Sequence, residues 1–276
     1  MAATTASRAE ARAHALNVVE IDDLALRFGE RVLWESLDLT LARGEFLAVL
    51  GPNGTGKTSL VRILLGLLEP SAGTVTIAGR PPAEMRRRVG YVPQQRIFDR
   101  DVSLRGRDLV RFGLDGDRFG TGRLSAAHRE RLDATLAAVG ADAYADAPIG
   151  RLSGGEQQRL RIAQALVSEP LLVLADEPLL SLDLASQQVV TGLLDAYRRA
   201  SGAPVVFVTH DVNPVLSALD RVLYLAPGDW AVGPPDEVLT SETLSRLYGT
   251  DVDVLRVRDR VVVVGTPDDQ HVHHVH

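Results

Sequence analysis

The sequence contains no cysteine, and only one of its 30 basic side chains, Lys57, is a lysine; the others are arginine. Without cysteine there is no disulfide scaffold, no thiol nucleophile and no cysteine-ligated zinc, which suits a reducing cytosol. Long apolar runs are also missing. Phe46–Leu50, Leu171–Ala175 and Val261–Val264 are far shorter than the roughly 20 residues of a membrane-crossing helix, so any work at a membrane calls for a second chain that spans it. The stretch Met1–Leu16 is rich in Ala, Thr and Arg but has no apolar centre, so it reads as a disordered tail rather than a signal peptide. Excess positive charge is absent: the formal net charge is −6, which argues against a general nucleic-acid binder. What remains is ordinary globular composition, 45% apolar and 24% charged, in 276 residues. A chain of that length makes one large domain or two smaller ones and buries about three quarters of its unfolded surface.

Two alternating segments, Val18–Phe28 and Val32–Leu41, predict strands joined by the turn Phe28-Gly29-Glu30-Arg31. Phe46–Leu50 predicts a strand buried on both faces. Leu60, Ile63, Leu64 and Leu67 then fall on one face of a helix. Gly73–Gly79 and Val89–Val92 predict further strands. From residue 99 to 151 the chain turns rich in Arg, Gly and Asp, with helical spacing at Leu104–Phe112 and Ala126–Val139 and a glycine-rich loop around Asp115–Gly122, which reads as an inserted helical subdomain. Strands at Leu171–Ala175, Val205–Thr209 and Arg221–Leu225 alternate with helices at Leu184–Ala200 and near Val215–Leu219. That alternation predicts an α/β fold with parallel pairing and right-handed crossovers. Strand-like pieces at Val252–Val257 and Arg260–Val264 precede a polar tail, and no repeat of solenoid period is visible.

Gly51-Pro52-Asn53-Gly54-Thr55-Gly56-Lys57-Thr58 fits the phosphate-binding pattern G-x-x-x-x-G-K-[ST], with a strand before it and a helix after it, and these residues together with Ser59 are expected to bind the nucleotide. The glycines let backbone N–H groups turn toward phosphate oxygens, and the helix dipole adds partial positive charge. Lys57 is expected to reach the β- and γ-phosphates and the Thr58 hydroxyl to hold Mg²⁺. The strand ending Ala175-Asp176-Glu177-Pro178 delivers two carboxylates at its C-terminal end, where open α/β sheets bind ligands. Asp176 is placed for Mg²⁺, directly or through water, and Glu177 for orienting and deprotonating an attacking water. Ser153 followed by Glu156 forms a capping box opening a helix through Leu166. The box leaves unexplained the two glycines, Gly154 and Gly155, which let a phosphate approach the helix N-terminus.

Leu152-Ser153-Gly154-Gly155-Glu156-Gln157-Gln158-Arg159 resembles the signature of the ATP-binding cassette (ABC) family, and the family's order of motifs is kept from Val18 to Leu225. The resemblance implies a P-loop NTPase of the ABC nucleotide-binding type, with an antiparallel β subdomain and an inserted helical subdomain: cassette over residues 17–250, extension over 251–276. It implies ATP and Mg²⁺ as cofactors. Phe28 falls where the family stacks an aromatic, more often tyrosine, on adenine; its alternative is a hairpin residue in the core. Gln94 matches the glutamine that senses Mg²⁺ and the attacking water. His210 matches the switch histidine at the γ-phosphate. Asp183 matches the aspartate at the dimer interface, and is equally suited to cap the next helix. In the family a homodimer closes each site in trans, so Ser153 and Gly155 are expected to cap ATP held by the partner's Lys57. His14 and His128 read as surface residues.

A single cassette without a membrane span looks like the separate ATPase subunit of a bacterial importer, peripheral on the cytoplasmic face of the membrane. It would pair with integral membrane permeases and, indirectly, with an extracytoplasmic substrate-binding protein. Gly90-Tyr91-Val92-Pro93-Gln94-Gln95-Arg96-Ile97-Phe98-Asp99 and His210-Asp211-Val212-Asn213-Pro214-Val215-Leu216 resemble the branch importing manganese, zinc or iron, although Asp101-Val102-Ser103-Leu104-Arg105 departs from its pattern. The alternatives are an importer of another small solute and an assembly ATPase outside transport. At the end, His271, His273, His274 and His276 place four imidazoles in six residues, a density that suits Zn²⁺, Ni²⁺ or Cu²⁺; the alternative is an exposed tail without a role.

Overall fold

The apolar runs at Phe46–Leu50 and Leu171–Ala175 lie inside a six-stranded sheet, and the one at Val261–Val264 belongs to a separate hairpin. The computed structural model describes residues 17–94, 98–115, 124–258 and 260–265. Its strands are β1 (Asn17–Phe28), β2 (Arg31–Ala42), β3 (Phe46–Leu50), β4 (Ala72–Ile77), β5 (Val89–Val92), β6 (Leu172–Asp176), β7 (Val205–Val208), β8 (Arg221–Ala226), β9 (Asp229–Gly233), β10 (Asp253–Val257) and β11 (Arg260–Val264). The helices longer than one turn are α1 (Lys57–Leu64), α2 (Pro82–Met85), α3 (Gly106–Asp115), α4 (Ala126–Ala138), α5 (Gly154–Leu166), α6 (Leu184–Ser201), α7 (Pro235–Val238) and α8 (Ser241–Tyr248). The large sheet runs β5-β6-β7-β3-β8-β9, a second sheet runs β2-β1-β4, and β10 pairs with β11.

Alternation along the buried strands divides the core in two. Phe46, Ala48 and Leu50 face a cluster with Phe207, Val173, Ala175 and helices α5 and α6. Leu47 and Val49 face the other side, with Trp34, Leu37, Leu60 and Ile63. Successive side chains of a strand point to opposite faces, so a strand covered on both sides must be apolar throughout. The antiparallel sheet β2-β1-β4 together with α1 is the cover on one side, and helices α5 and α6 are the cover on the other.

Several expectations need correction. The face drawn through Leu60, Ile63 and Leu64 does not extend to Leu67, which is 63% exposed. Gly66 takes φ 63° and the chain closes with Leu67 N–H to Arg62 O and Gly66 N–H to Ile63 O, a Schellman end to α1. The helix near Val215–Leu219 is only a 3₁₀ turn, Leu216–Ala218. Asp220 accepts the Phe46 N–H at 2.7 Å, which fixes the entry into β8 at the next residue and leaves no room for another turn. The large sheet is also not wholly parallel, because β9 returns antiparallel to β8. Strand β9 and helices α7 and α8 were not anticipated. Their signals are present: Pro227-Gly228 for the turn, prolines opening α7, and Thr240 and Gly249 bounding α8.

Candidate functional site

Four neighbouring parallel strands, β5, β6, β7 and β3, release their C-terminal ends at one edge of the sheet. Asp176 pairs with Val208 and Val208 with Val49, so these ends are nearly level. In that spatial order they deliver Gln94, the Asp176–Glu177 pair, His210 and the loop Gly51–Thr58. Residues far apart in sequence meet because these strands run parallel and end at the same edge.

The loop after β3 wraps the start of α1. Gly51 has φ 136°, and a Cβ there would lie 2.0 Å from Leu225 O, so only glycine lets the loop leave the sheet against β8. Gly56, also left-handed, stands at the cap of α1. Thr55 Oγ1 donates to Pro52 O at 2.9 Å. Lys57 is buried, and its Nζ donates to Gly51 O at 2.7 Å and Pro52 O at 2.8 Å, so the ammonium sits inside its own loop. Burial lowers its pKa, and the nearby charges of Glu177 and Asp176 work against that shift.

Asp176 is buried at the end of β6. Its carboxyl pKa is raised by burial and by the charge of Glu177, and drawn back by Lys57, Arg62 and a hydrogen bond from Thr58. Glu177 takes φ 49° while its N–H donates to Val208 O at 3.0 Å, so the turn out of β6 is fixed by the neighbouring strand. Its Oε2 lies 2.9 Å from His210 Nδ1; the histidine side chain is 62% exposed, the glutamate 15%.

Lys57, Asp176 and Glu177 border a cavity of about 510 Å³, lined also by Phe28, Arg31, Leu33, Asn53, Gly54, Gly56, Thr58, Ser59, Gln94 and Val208, while His210 stands outside that lining, against Glu177. Phe28 is 53% exposed at the cavity rim, so it is not a core residue of the hairpin. Its cross-strand partner is Arg31, whose Nη2 donates to Gly54 O at 3.1 Å. Sequence reasoning missed Arg31, although its place three residues after Phe28 in a hairpin turn aims both the same way. A hydroxyl and a carboxylate that share a hydrogen bond, Thr58 and Asp176, offer hard oxygen donors of the kind Mg²⁺ prefers.

The segment Leu152–Gln157 does not line this cavity. Ser153 caps α5 through a reciprocal box: Ser153 N–H donates to Glu156 Oε2 at 2.8 Å, and Glu156 N–H to Ser153 Oγ at 3.3 Å. Gln157 is buried and spends its amide on backbone, accepting from Phe98 N–H at 3.0 Å and donating to Ile149 O and Leu152 O at 3.1 Å. A Cβ on Gly155 would lie 2.7 Å from Ser186 Oγ, so this glycine also lets α5 approach the start of α6. Asp183 caps α6, its Oδ1 accepting Ser186 N–H at 2.7 Å, and that bond lowers its pKa. The terminal histidines His271–His276, His14 and residues 95–97 lie outside the described residues. Among the described residues no helix is long and apolar enough to cross a membrane.

Comparison with known proteins agrees with this geometry. Residues 34–180 match the family model described as ABC transporter. The zinc transport system ATP-binding protein TroB of Treponema pallidum is 35% identical, covering 92% of this chain and 93% of that protein. The manganese transport system ATP-binding protein MntB of Bacillus subtilis is 32% identical, over 90% of this chain and 98% of its own length. Among solved structures, cbiO1 from Clostridium perfringens, part of the ABC transporter complex cbiONQ, superposes with a TM-score of 0.70 at 26% identity, covering 84% of this chain and 94% of that one. A phosphate loop on the correct strand, two carboxylates beside it and relatives aligned along nearly the whole chain lead to one assignment: the chain belongs to the ABC transporter family, as an ATP-binding and ATP-hydrolysing subunit.

Proposed function

We propose that this subunit energises uptake of a divalent metal cation, manganese, zinc or iron, through integral membrane permeases, from the cytoplasmic face of the membrane. The relatives named for zinc and manganese transport, aligned over nine tenths of the chain, carry this reading of the cargo. A substrate-binding protein on the far side of the membrane would deliver the ion. The cassette spans residues 17–250, with the helical subdomain near 99–151 and the extension from 251.

The cavity supports a division of labour for hydrolysis. Phe28 stacks on adenine, and the N–H groups of Asn53–Ser59 with Lys57 hold the phosphates. Thr58 and Asp176, with Gln94 nearby, would hold Mg²⁺, which when bound offsets charge on the β- and γ-phosphates. Glu177 accepts a proton from the water that attacks the γ-phosphorus as the bond to the ADP oxygen breaks. His210, at hydrogen-bond distance from Glu177, orients that carboxylate toward the γ-phosphate. Since Leu152–Gln157 does not line the chain's own cavity, a second copy would supply Ser153 and Gly155 in trans, with Asp183 at the interface. The histidines His271, His273, His274 and His276 would bind the incoming ion.

Glu177→Gln keeps the side-chain shape and removes the base. ATP binding should persist, turnover should fall by roughly 10²–10⁴, and an ATP-bound dimer should accumulate in size-exclusion chromatography. Wild-type turnover would return Glu177 to a structural role. For the cargo, cells lacking the chain should lose saturable zinc or manganese uptake, restored by wild type and not by Glu177→Gln. Unchanged uptake of both ions would overturn the metal reading and leave the ATPase intact.

A further inference from the structure

The loop that follows His210 is tied to the C-terminal hairpin by one side chain. Asn213 Nδ2 donates to Val261 O at 3.0 Å, and Asn213 Oδ1 accepts the Val261 N–H at 2.8 Å. The side-chain amide thus takes the place of a neighbouring strand on β11, satisfying both backbone groups of a residue 48 positions away. Asn213 also organises its own loop. Its backbone N–H and its Nδ2 each donate to Asp211 Oδ1 at 2.9 Å. Asp211 in turn donates its N–H to Thr209 Oγ1 at 3.2 Å, and Thr209 Oγ1 donates to Asp211 O at 3.0 Å. His210 lies between these two bonded residues, with its imidazole 2.9 Å from Glu177.

The hairpin is a firm anchor. Val252 and Val261 are buried in the larger core cluster. Ser241 Oγ accepts the Val254 N–H at 2.8 Å and Ser245 Oγ the Val252 N–H at 2.9 Å, which fixes β10 to α8. Arg256 pairs with Asp236 of α7 at 2.8 Å. A two-stranded hairpin alone is marginally stable, and these contacts give it a fixed seat. An asparagine needed only to start the Pro214 turn would use its oxygen locally. Here both ends of the amide are committed to the hairpin.

We infer that Asn213 is a positioning residue for the switch histidine, latching the His210 loop to the β10–β11 hairpin so that the imidazole is held against Glu177. The inference rests on the roles proposed above for His210 and Glu177. It gives the C-terminal extension a part in hydrolysis that is separate from any metal bound by the tail. Asn213 does not line the nucleotide cavity, so its loss should act on kcat and not on ATP affinity. Misplacement of a catalytic group by about 1 Å costs on the order of a hundredfold, and a loosened loop that still samples the right position should cost roughly tenfold.

The test compares full-length wild type, Asn213→Ala, Asn213→Asp and His210→Ala at concentrations that favour pairing. Steady-state ATP hydrolysis gives kcat and KM, calorimetry gives ATP affinity, and NMR of the histidine ring carbons reports the imidazoles. With seven histidines in the chain, the His210 signal is the one missing from His210→Ala. The expected result for Asn213→Ala is a kcat about tenfold lower, ATP affinity within twofold of wild type, and a displaced His210 signal. Asn213→Asp keeps the acceptor for Val261 but loses both donors and sets a second carboxylate against Asp211, so it should fall at least as far. Wild-type kcat in Asn213→Ala beside a slow His210→Ala overturns the latch alone. A lower kcat with an unmoved His210 signal and a lowered melting temperature also overturns it, by reducing Asn213 to a stability role. Wild-type turnover in His210→Ala overturns the reading of the site, and the latch with it.

Discussion

Replacing Phe28 by alanine should separate nucleotide recognition from folding. The ring is 53% exposed at the corner of the β1–β2 hairpin, so about half of an aromatic area of roughly 200 Å² is free for a base to cover. At about 25 cal/mol per Å², covering some 100 Å² contributes about 2.5 kcal/mol, an upper bound because a stacked base meets one face of the ring. Base–aromatic stacking measured by alanine substitution spans about 1–3 kcal/mol, which brackets that figure. Since each 1.4 kcal/mol is a factor of ten, Kd for ATP should rise roughly tenfold, within about 5- to 150-fold. The fold should scarcely notice, because exposed substitutions of this kind shift stability by only about 0.5 kcal/mol. Calorimetry with ATP and with inorganic triphosphate makes the test specific. The variant should lose affinity for ATP and keep it for triphosphate, which has no base to stack, while Phe28→Tyr should keep both. Equal ATP affinity in a folded Phe28→Ala protein, or an equal loss for triphosphate, would refute the stacking argument.

Asp176→Asn should abolish turnover and raise the melting temperature of the ligand-free protein at pH 7–8. Burial and Glu177 raise the Asp176 pKa in the folded state, so the folded chain holds that proton more tightly than the unfolded one; stability falls as pH climbs through the window between the two values, and the gain from Asn should shrink again toward the ordinary carboxylate range. Arg198 donates to Asp195 and Asp220 at 2.8 Å and to Ala218 O at 2.9 Å, and lies over the Phe46 ring, so Arg198→Leu strands the buried Ala218 O and takes the partner from two carboxylates that are only part-buried. The cost should be about 3 kcal/mol, the low end for a broken buried pair because Asp220 still reaches water, and thermal melts should drop by about 6–12 °C; Arg198→Lys should recover only part of this, having no planar fork. Removing residues 271–276 should leave basal ATP hydrolysis unchanged and weaken zinc binding in calorimetry, and equal zinc affinity with and without them would remove the tail from the metal reading.

The parts of the site legible in the sequence were those whose chemistry needs particular residues in consecutive positions. Gly51–Thr58 and Asp176–Glu177 each carry their own pattern, and the flanking apolar runs identify their strands. The buried strands were legible for the same reason, because burial on both faces leaves no polar position in Phe46–Leu50. Arg31 was not, since its contact with Gly54 O depends on how the hairpin is aimed over the loop. Nor was the work of Gln157: a glutamine in a motif suggests a ligand contact, yet packing commits its amide to Phe98, Ile149 and Leu152. Strand β9 was overlooked for a different reason. Asp229–Gly233 is short and its burial is partial, so periodicity is weak, and the Pro227-Gly228 turn was the stronger clue. The 3₁₀ turn at Leu216–Ala218 was overread because spacing of apolar residues says nothing about where Asp220 is held.

The solitary lysine has a consequence for the chain's covalent chemistry. Lys57 supplies the only ε-amine in the protein, and it stands 7% exposed with its nitrogen turned to the carbonyls of Gly51 and Pro52. Burial lowers its pKa, so a larger share of this amine is uncharged and nucleophilic at a given pH than on an ordinary surface lysine, while the same burial restricts the reagents that reach it. Acylation, carbamylation and Schiff-base formation, which elsewhere scatter over many surface lysines, are confined here to the amino terminus and to the one nitrogen that a bound nucleotide would cover. Arginine is silent to those reactions, so among the described residues damage of this kind falls on the loop that Lys57 closes.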